Sequence, residues 1–188
     1  MPGHVRYDRQ TLVADLDGHE PLRFVFFWGH RTSRPGEVTK ACFSQWWPSA
    51  FHSDGTQYLT AEHWMMAEKA RLFGDEETRD KVLAAPSPGA AKALGREIAS
   101  FDQGTWDAAK YDIVVAGNLL KFSQNPDLGA FLAGTGTRIL VEASPVDPVW
   151  GIGLEGKDPA ATRPDLWKGE NLLGFALMSV RDLLAAQA

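Results

Sequence analysis

Hydrophobic residues along this chain fall into short dense runs and into longer stretches with helical spacing. The run PLRFVFFWG at 21–29 is rich in aromatic and β-branched residues, which predicts a buried strand. CFSQWW at 42–47 predicts a second strand that stops before Pro48, and GTQYLT at 55–60 predicts a short extended segment. TRILVEAS at 137–144 predicts the last strand. The predicted strands are therefore few and short.

Helix signals begin with YLTAEHWMMAEKARLF at 58–73, where Thr60 is the expected N-cap. SPGAAKALGREIAS at 87–100 follows with Ser87 as N-cap and Pro88 at the first helical position. Both starts combine a side chain that caps free backbone N–H groups with a periodic apolar pattern. They predict two helices in the middle of the chain.

Three more helices are predicted in the second half of the chain. TWDAAKYDIVVAGNLLKFSQN at 105–125 has Thr105 as candidate cap and Pro126 as the stop, and a short helix follows over 127–133. ENLLGFALMSVRDLLAAQA at 170–188 predicts an amphipathic final helix. Helices dominate and the strands do not alternate with them in βαβ units. This pattern predicts an α+β fold that is predominantly α-helical.

The composition predicts one globular domain over residues 1–188. The chain is 44% hydrophobic and 23% charged, with seven Trp and ten Phe that fill a core or line a pocket for a planar ligand. A formal charge of −5 argues against general affinity for a nucleic-acid backbone. The N-terminus lacks a hydrophobic signal region and no apolar run approaches 18 residues. We therefore expect a cytoplasmic protein with no membrane partner.

Metal and disulfide chemistry have little support in the sequence. Cys42 is the single cysteine, so no internal disulfide and no cysteine cluster is possible. The histidines show neither HxH nor HExxH spacing; they are His4, His19, His30, His52 and His63. We expect no metal and no cofactor.

The helix that starts after Thr60 carries two charges on its apolar face. At about 100° per residue, one side of the wheel holds Glu62, Met65, Met66, Lys69 and Phe73, while Arg71 points away. Burying either charge is costly unless the charge is paired or used. Glu62 and Lys69 thus predict a functional acid and amine beside one small ligand, or else charged ends that snorkel to water.

A long loop at 143–174 has about 25 residues without a regular pattern. Loops of this length are usually functional or disordered, and Trp150 and Trp167 argue against disorder. The loop glycines spell GxGxxG but no helix starts within the motif, which excludes a Rossmann site; they are Gly151, Gly153 and Gly156. They either let the backbone approach a ligand, with Asp147 just before them, or form a glycine-rich turn.

Two arginines are candidates for binding phosphate. Arg31 follows the first predicted strand, and Arg96 follows Gly95 in a predicted helix. A guanidinium binds a phosphate through two parallel hydrogen bonds. The alternative for each is a surface salt bridge.

Taken together, these stretches resemble the NADAR family, also called YbiA-like. The matching segments are FFWGH, CFSQWW, YLTAEHWMMAEKA, SPGAAKALGR, the Trp106 helix, LVEASPVDPVWGIG and WKGENLLGFALMSVR. They cover about residues 20–184 in family order, which is the expected domain core. Gln45 departs from the pattern, since many relatives have Asn at this position.

The resemblance implies an N-glycosidase. Family members cleave either the base–ribose bond of early riboflavin-pathway pyrimidine ribose phosphates or ADP-ribose attached to guanine. By their positions in the motifs, the resemblance carries into the site Glu62, Lys69, Trp106, Asp147, Trp150 and Asn171. On the matching stretches we also expect substrate contacts from Phe27, Trp28, Ser44, Gly151 and Gly153.

The implied roles follow from the chemistry of a C–N glycosidic bond. Glu62 is expected to be the principal catalytic carboxylate and Asp147 a second one that orients the ribose hydroxyls. Lys69 is expected to act either as an electrostatic partner or as a Schiff-base nucleophile on a ring-opened ribose. The expected partner is a small ribosylated substrate, and ADP-ribosylated nucleic acid belongs to the same class. The rival hypothesis is a non-catalytic module that binds ADP-ribose or a related nucleotide.

Overall fold

The computed structural model of the chain describes residues 5–14, 21–32 and 36–187. These residues form seven α-helices and four short strands, so the predicted α+β class with dominant helices is confirmed. His4 and His19 lie outside the described residues. The chain groups into two compact units. The first unit combines the residues up to Ser44 with those from Asp127 onward, and the second spans Gln45–Pro126.

In the first unit a two-stranded parallel sheet pairs distant parts of the chain. Strand β1 (Phe24–Phe27) lies beside β4 (Ile139–Glu142), with Phe24 opposite Ile139 and Phe27 opposite Glu142. The helices of this unit are α1 (Arg9–Ala14), α6 (Pro126–Ala133) and α7 (Leu172–Ala185). Helix α7 packs on β4 and is buried from Leu173 to Arg181, so the strand is covered by the end of the chain.

The aromatic core of the first unit starts at the end of β1. The Phe27 ring meets that of Phe43 edge-on at 5.4 Å, and Phe43 in turn lies 5.5 Å from Phe131 of α6. Phe43 belongs to a 3₁₀-helix over Lys40–Phe43. These contacts place the strand, the 3₁₀-helix and α6 around one cluster of rings.

In the second unit four helices accompany a small hairpin. Strands β2 (Phe51–Ser53) and β3 (Thr56–Tyr58) are antiparallel. Helix α2 (Ala61–Leu72) packs against the other three helices, which are α3 (Glu76–Leu83), α4 (Pro88–Leu94) and α5 (Gln103–Gln124). Because neighbours cover α2 on several sides, every residue from Ala61 to Glu68 is buried. The buried surface of α2 is therefore wider than the single apolar face that the sequence predicts.

Local signals located the helix starts well where the cap was correctly identified. The Thr60 hydroxyl accepts the His63 N–H, and the Ser87 hydroxyl accepts the Ala90 N–H. The expected cap Thr105 is wrong. Helix α5 begins earlier because the Asp102 carboxylate accepts the Thr105 N–H at 2.7 Å and so takes the capping role.

Several other predicted boundaries are corrected. CFSQWW at 42–47 is not a strand: its start belongs to the 3₁₀-helix capped by Thr39, and its aromatic residues are packed without a strand partner. The helix predicted over 87–100 ends at Leu94, and Pro126 starts α6 as well as following α5. Helices α1 and α3 and strand β2 were not predicted.

No helix of the described residues has the length and hydrophobicity needed to cross a membrane.

Candidate functional site

Glu62 lies in the first turn of α2 and is 2% exposed. Its backbone N–H donates to the main-chain carbonyl of Gln45 at 3.0 Å, which ties the start of α2 to the preceding segment. The dipole of a helix favours negative charge in its first turn. The structure therefore places the predicted catalytic carboxylate in the interior of the second unit, and it does not end in bulk water as a snorkelling side chain would.

Lys69 lies at the other end of α2 in an unusual environment for an amine. Its Nζ donates to the Gly95 carbonyl at 2.7 Å and lies 4.3 Å from the centre of the Phe101 ring. The Trp106 ring centre is 5.5 Å away. No carboxylate of the described residues pairs with Lys69. Burial lowers the pKa of the Lys69 ammonium below its ordinary value.

Trp106 and Arg96 lie on either side of the segment that contacts Lys69. Trp106 is half-buried in the first turn of α5, where its ring forms part of the wall around the amine. Arg96 follows Gly95 and is exposed. The structure thus brings Lys69 and Trp106 into contact and places Arg96 next in sequence to the carbonyl that binds the amine. Substrate contacts of Lys69, Trp106 and Arg96 remain predictions.

Asp147 forms a tight turn at the start of the long loop in the first unit. Its Oδ1 accepts the N–H groups of Val149 at 2.9 Å and Trp150 at 2.8 Å. Its second oxygen makes no hydrogen bond within the described part of the chain. One carboxylate oxygen therefore shapes the loop, and the other is the atom left for the predicted contact with ribose hydroxyls.

Gly151 and Gly153 are required by close packing of this loop. A Cβ on Gly151 would lie 2.8 Å from the Glu142 carbonyl, and Gly153 has φ +66° with Lys168 at 2.9 Å from its Cβ position. No helix begins between Gly151 and Gly156, which agrees with the exclusion of a Rossmann site. The structure gives these glycines the role of a packed turn, and their contact with a ligand remains a prediction.

Asn171 joins the end of the loop to strand β4. Its side chain is fully buried; Oδ1 accepts the Glu142 N–H at 2.9 Å and Nδ2 donates to the Leu140 carbonyl at 2.9 Å. Its own N–H donates to the Gly151 carbonyl. Both atoms of the Asn171 amide thus bind the backbone of its own unit, and the substrate contact that the resemblance implies remains a prediction.

The β1 end of the first unit opens into a pocket of about 480 Å³. Trp28 is 60% exposed there, whereas Phe27 is a core residue. Ser44 is half-buried and follows the 3₁₀-helix, where its N–H donates to the Ala41 carbonyl. The pocket adds two lysines that sequence reasoning missed. Its lining residues are Phe26, Phe27, Trp28, Lys40, Ala143, Glu155, Gly156 and Lys157.

Arg31 and Arg96 are both exposed, and neither guanidinium group makes a hydrogen bond or ion pair with another described residue. The surface salt bridge considered as the alternative is therefore absent for both within this part of the chain. Their guanidinium groups have the donors that a phosphate needs, and this role stays a prediction.

The sequence does not predict a buried contact between two amide side chains in the second unit. Asn118 Nδ2 donates to Gln45 Oε1 at 2.8 Å, and both residues are buried. Gln45 Nε2 and Asn118 Oδ1 have no hydrogen-bond partner among the described residues. Gln45 is the residue that departs from the family pattern, and its main-chain carbonyl accepts the N–H of Glu62.

Among the residues described, no group of three or more His, Cys, Asp or Glu could hold a metal ion.

Comparisons with known proteins extend the resemblance seen in the motifs. A family model for the NADAR domain matches residues 26–185. An N-glycosidase of Acanthamoeba polyphaga mimivirus is 42% identical over 168 residues, covering 87% of this chain and 97% of that protein. N-glycosidase YbiA of Escherichia coli is 32% identical over 141 residues, covering 75% and 78%. The NMR structure of Escherichia coli YbiA matches with a TM-score of 0.68 and 28% identity over 88% of each chain.

Proposed function

Because this chain belongs to the NADAR family, we propose that it is an N-glycosidase that hydrolyses the C–N bond between a ribose and a base. The proposed substrates are (phospho)ribosylated bases, either early riboflavin-pathway aminopyrimidine ribose phosphates or ADP-ribosylated guanine. Relatives with high coverage carry the name N-glycosidase, which supports the reaction class. The proposed partner is this small substrate, free or attached to a nucleic acid.

The environment of Lys69 is the observation that carries the proposal. A lysine that only snorkels would place its ammonium in water, whereas this amine lies between a carbonyl and two aromatic rings. Burial lowers its pKa, so a larger fraction of the amine is neutral near pH 7 than for an exposed lysine. A neutral amine is the nucleophile that forms Schiff bases with sugars.

The covalent route balances without any further reactant except water. A ribosylamine opens to a sugar imine, and the neutral Lys69 amine adds to C1′ of that imine. The leaving nitrogen takes both protons of the Lys69 amine and departs with its bonding pair, which leaves an imine between Lys69 and C1′. Water adds to this imine, and its collapse returns the Lys69 amine and a free ribose aldehyde. Glu62 is the proposed acid and base for these proton transfers.

The route places a requirement on the substrate. Opening of the sugar to an imine requires a glycosidic nitrogen that carries a hydrogen, as in a ribosylamine. The glycosidic nitrogen of an ordinary nucleoside carries none. We therefore propose cleavage of ribosylated amines and none of guanosine or uridine. If Lys69 acts only as a charge, this restriction does not apply.

The test is cleavage of two candidate substrates, measured as release of the free aminopyrimidine from aminopyrimidine ribose phosphate and of guanosine from ADP-ribosylated guanosine. Guanosine serves as the unreactive control, and Glu62→Gln and Lys69→Met serve as matched inactive proteins. Release of the expected product from one candidate by the wild type alone supports the proposal. Equal release by the variants, or no release from either candidate, contradicts it.

The pocket of the first unit favours one alternative function, a non-catalytic nucleotide-binding module. An exposed Trp28 and the amines of Lys40 and Lys157 offer a stacking surface and positive charge for an aromatic anion. Titration with ADP-ribose distinguishes the two functions. Saturable binding without turnover of either ribosylated substrate supports the module, and turnover supports the enzyme.

A further inference from the structure

The segment Gly95–Asp102, which joins α4 to α5 in the second unit, is fixed along its length. Asp75 accepts the Ala99 N–H through Oδ2 at 2.9 Å and caps α3 through Oδ1. Asp102 caps α5. At the other end, a Cβ on Gly95 would lie 2.0 Å from the Met66 Sδ of α2, so a side chain at this position would force the buried Met66 side chain to move. The segment is therefore a built part of the fold.

Ser100 adds a strained residue to this segment. Its φ of 56° is in the left-handed region, which is strained for a residue that carries a side chain. Such a conformation persists only where the surrounding structure fixes it. Ser100 directly precedes Phe101, so the strained turn determines where the Phe101 ring lies.

Phe101 is 41% exposed. The Phe101 ring meets the Phe73 ring edge-on, with 5.2 Å between the ring centres. The Lys69 Nζ lies 4.3 Å from the centre of the Phe101 ring. The amine also donates to the Gly95 carbonyl at the start of the same segment. Two groups of one segment thus contact the same nitrogen.

We propose that Phe101 is a positioning residue for Lys69, and that the Gly95–Asp102 segment holds the ammonium between the Phe101 ring and the Gly95 carbonyl. The effect of Phe101 on catalysis rests on the proposed function, whereas its effect on the position and pKa of the Lys69 amine does not. The ring attracts the ammonium and not the neutral amine. It therefore fixes the resting ammonium and releases the neutral amine that attacks the sugar.

The Phe101 ring opposes the effect of burial on the same amine. Burial lowers the pKa of Lys69, and none of the charged side chains described on α3, α4 or α5 contributes to that change. A ring face that stabilises the ammonium raises the pKa. Removing the ring while keeping an apolar cover is therefore expected to lower the pKa of Lys69 further.

The experiment titrates the Lys69 amine by NMR after reductive ¹³C-dimethylation of the whole protein, which leaves the amines titratable. The Lys69 resonance is the one that is missing in Lys69→Arg. Phe101→Leu is expected to lower the pKa of Lys69 by ~0.5 or more, and Phe101→Tyr to leave it near the wild-type value. Phe73→Leu is the matched control, because Phe73 touches Phe101 but makes no contact with the amine.

The activity profile gives a second readout if the protein is a glycosidase. The reactive species is the neutral amine, so the acid limb of kcat/KM against pH is expected to move to lower pH in Phe101→Leu by the same amount. An unchanged Lys69 pKa in Phe101→Leu, or an equal change in Phe73→Leu, overturns the positioning role. A changed pKa in a protein without glycosidase activity keeps the positioning role and rejects the function.

Fluorinated phenylalanine at position 101 covers the case in which Phe101→Leu does not fold. Ring fluorines keep the shape of the side chain and weaken the attraction of its face for a cation. The Lys69 pKa is expected to fall stepwise with the number of fluorines. A pKa that does not respond to fluorination overturns the proposal.

Discussion

A charged residue that has lost part of its hydration stays charged only if other groups replace the water. For Lys69 these groups are one carbonyl and two aromatic rings, without a carboxylate from the described residues. A carboxylate partner would raise the pKa of the amine, whereas this environment leaves the effect of burial dominant. This environment supports the proposed nucleophilic role of Lys69, which needs a neutral amine.

Lys69→Met tests whether the Lys69 amine is needed for activity rather than for the stability of the fold. Methionine keeps much of the apolar stem and removes the nitrogen. We expect the melting temperature to stay nearly unchanged or to rise, because a half-buried amine costs hydration. We expect hydrolysis to be lost. Full activity of a folded Lys69→Met would show that the lysine is only a helix charge.

Lys69→Arg separates the two chemical roles of this residue. Arginine keeps the charge but cannot form a Schiff base. We expect no rescue of activity, and we expect borohydride to trap a sugar adduct on wild-type Lys69 in the presence of substrate. Substantial activity of Lys69→Arg without a trapped adduct would favour the electrostatic role instead.

Glu62→Gln tests the proposed acid and base. The change removes the ionisable proton while keeping shape and burial, so we expect the fold to be retained and turnover to fall by at least ~100-fold. Glu68→Gln is the matched control, since Glu68 is also buried on α2 but pairs with Arg71 at 2.7 Å. Turnover of Glu62→Gln close to that of the control would remove Glu62 from the mechanism.

At the scale of the element, α2 shows how far local sequence signals reach. Its start at Thr60 and the exposed position of Arg71 follow from caps and periodicity, which depend on neighbours in the chain. Its burial on all sides depends on three other helices, and a wheel drawn for one helix contains no such information. The same limit explains why the aromatic run at 42–47 predicts a strand that the structure does not form.

His63 connects α2 to Ala85, two residues after the end of α3. Its ring nitrogens lie 2.8 Å from the Thr60 hydroxyl and 3.1 Å from the Ala85 carbonyl. Burial lowers the pKa of His63, although the Ala85 hydrogen bond acts in the opposite direction. The unfolded chain binds a proton near pH 6.5, whereas the folded protein binds it only at lower pH.

The free energy of unfolding is therefore expected to be constant above pH 6.5 with respect to this group. It is expected to fall as the pH decreases from 6.5 through the folded pKa of His63. The measurement is urea unfolding at pH 7.5 and at several lower values down to 5. His63→Gln is expected to flatten this dependence, and His52→Gln, at an exposed position, to leave it in place. An unchanged slope in His63→Gln would assign the acid sensitivity to other groups.

At the scale of the whole molecule, the candidate site could be predicted only in part. Motif positions gave Glu62 and Lys69, and composition gave an excess of aromatic residues. Phe101 and the Gly95 carbonyl reach Lys69 from a different segment. Phe101 lies outside the matching motifs, and although Gly95 ends one of them, the contact of its main-chain carbonyl with Lys69 has no sequence signal. Lys40 and Lys157 meet Trp28 at one pocket although more than 100 residues separate the two lysines in the sequence. Such contacts depend on the fold and leave no local signal.

Asn171 shows the same dependence on distant segments and gives the last prediction. It joins the loop to β4 with both atoms of its buried amide, and its φ of 57° is left-handed. Asn171→Ala leaves the Glu142 N–H and the Leu140 carbonyl without partners, at about 1–3 kcal/mol each, and strains the backbone. We expect a large loss in the free energy of unfolding measured in urea. Asn171→Gly removes the strain but not the lost hydrogen bonds, so it should recover only part of the loss. Wild-type stability of Asn171→Ala together with weaker substrate binding would instead favour the substrate contact that the resemblance implies.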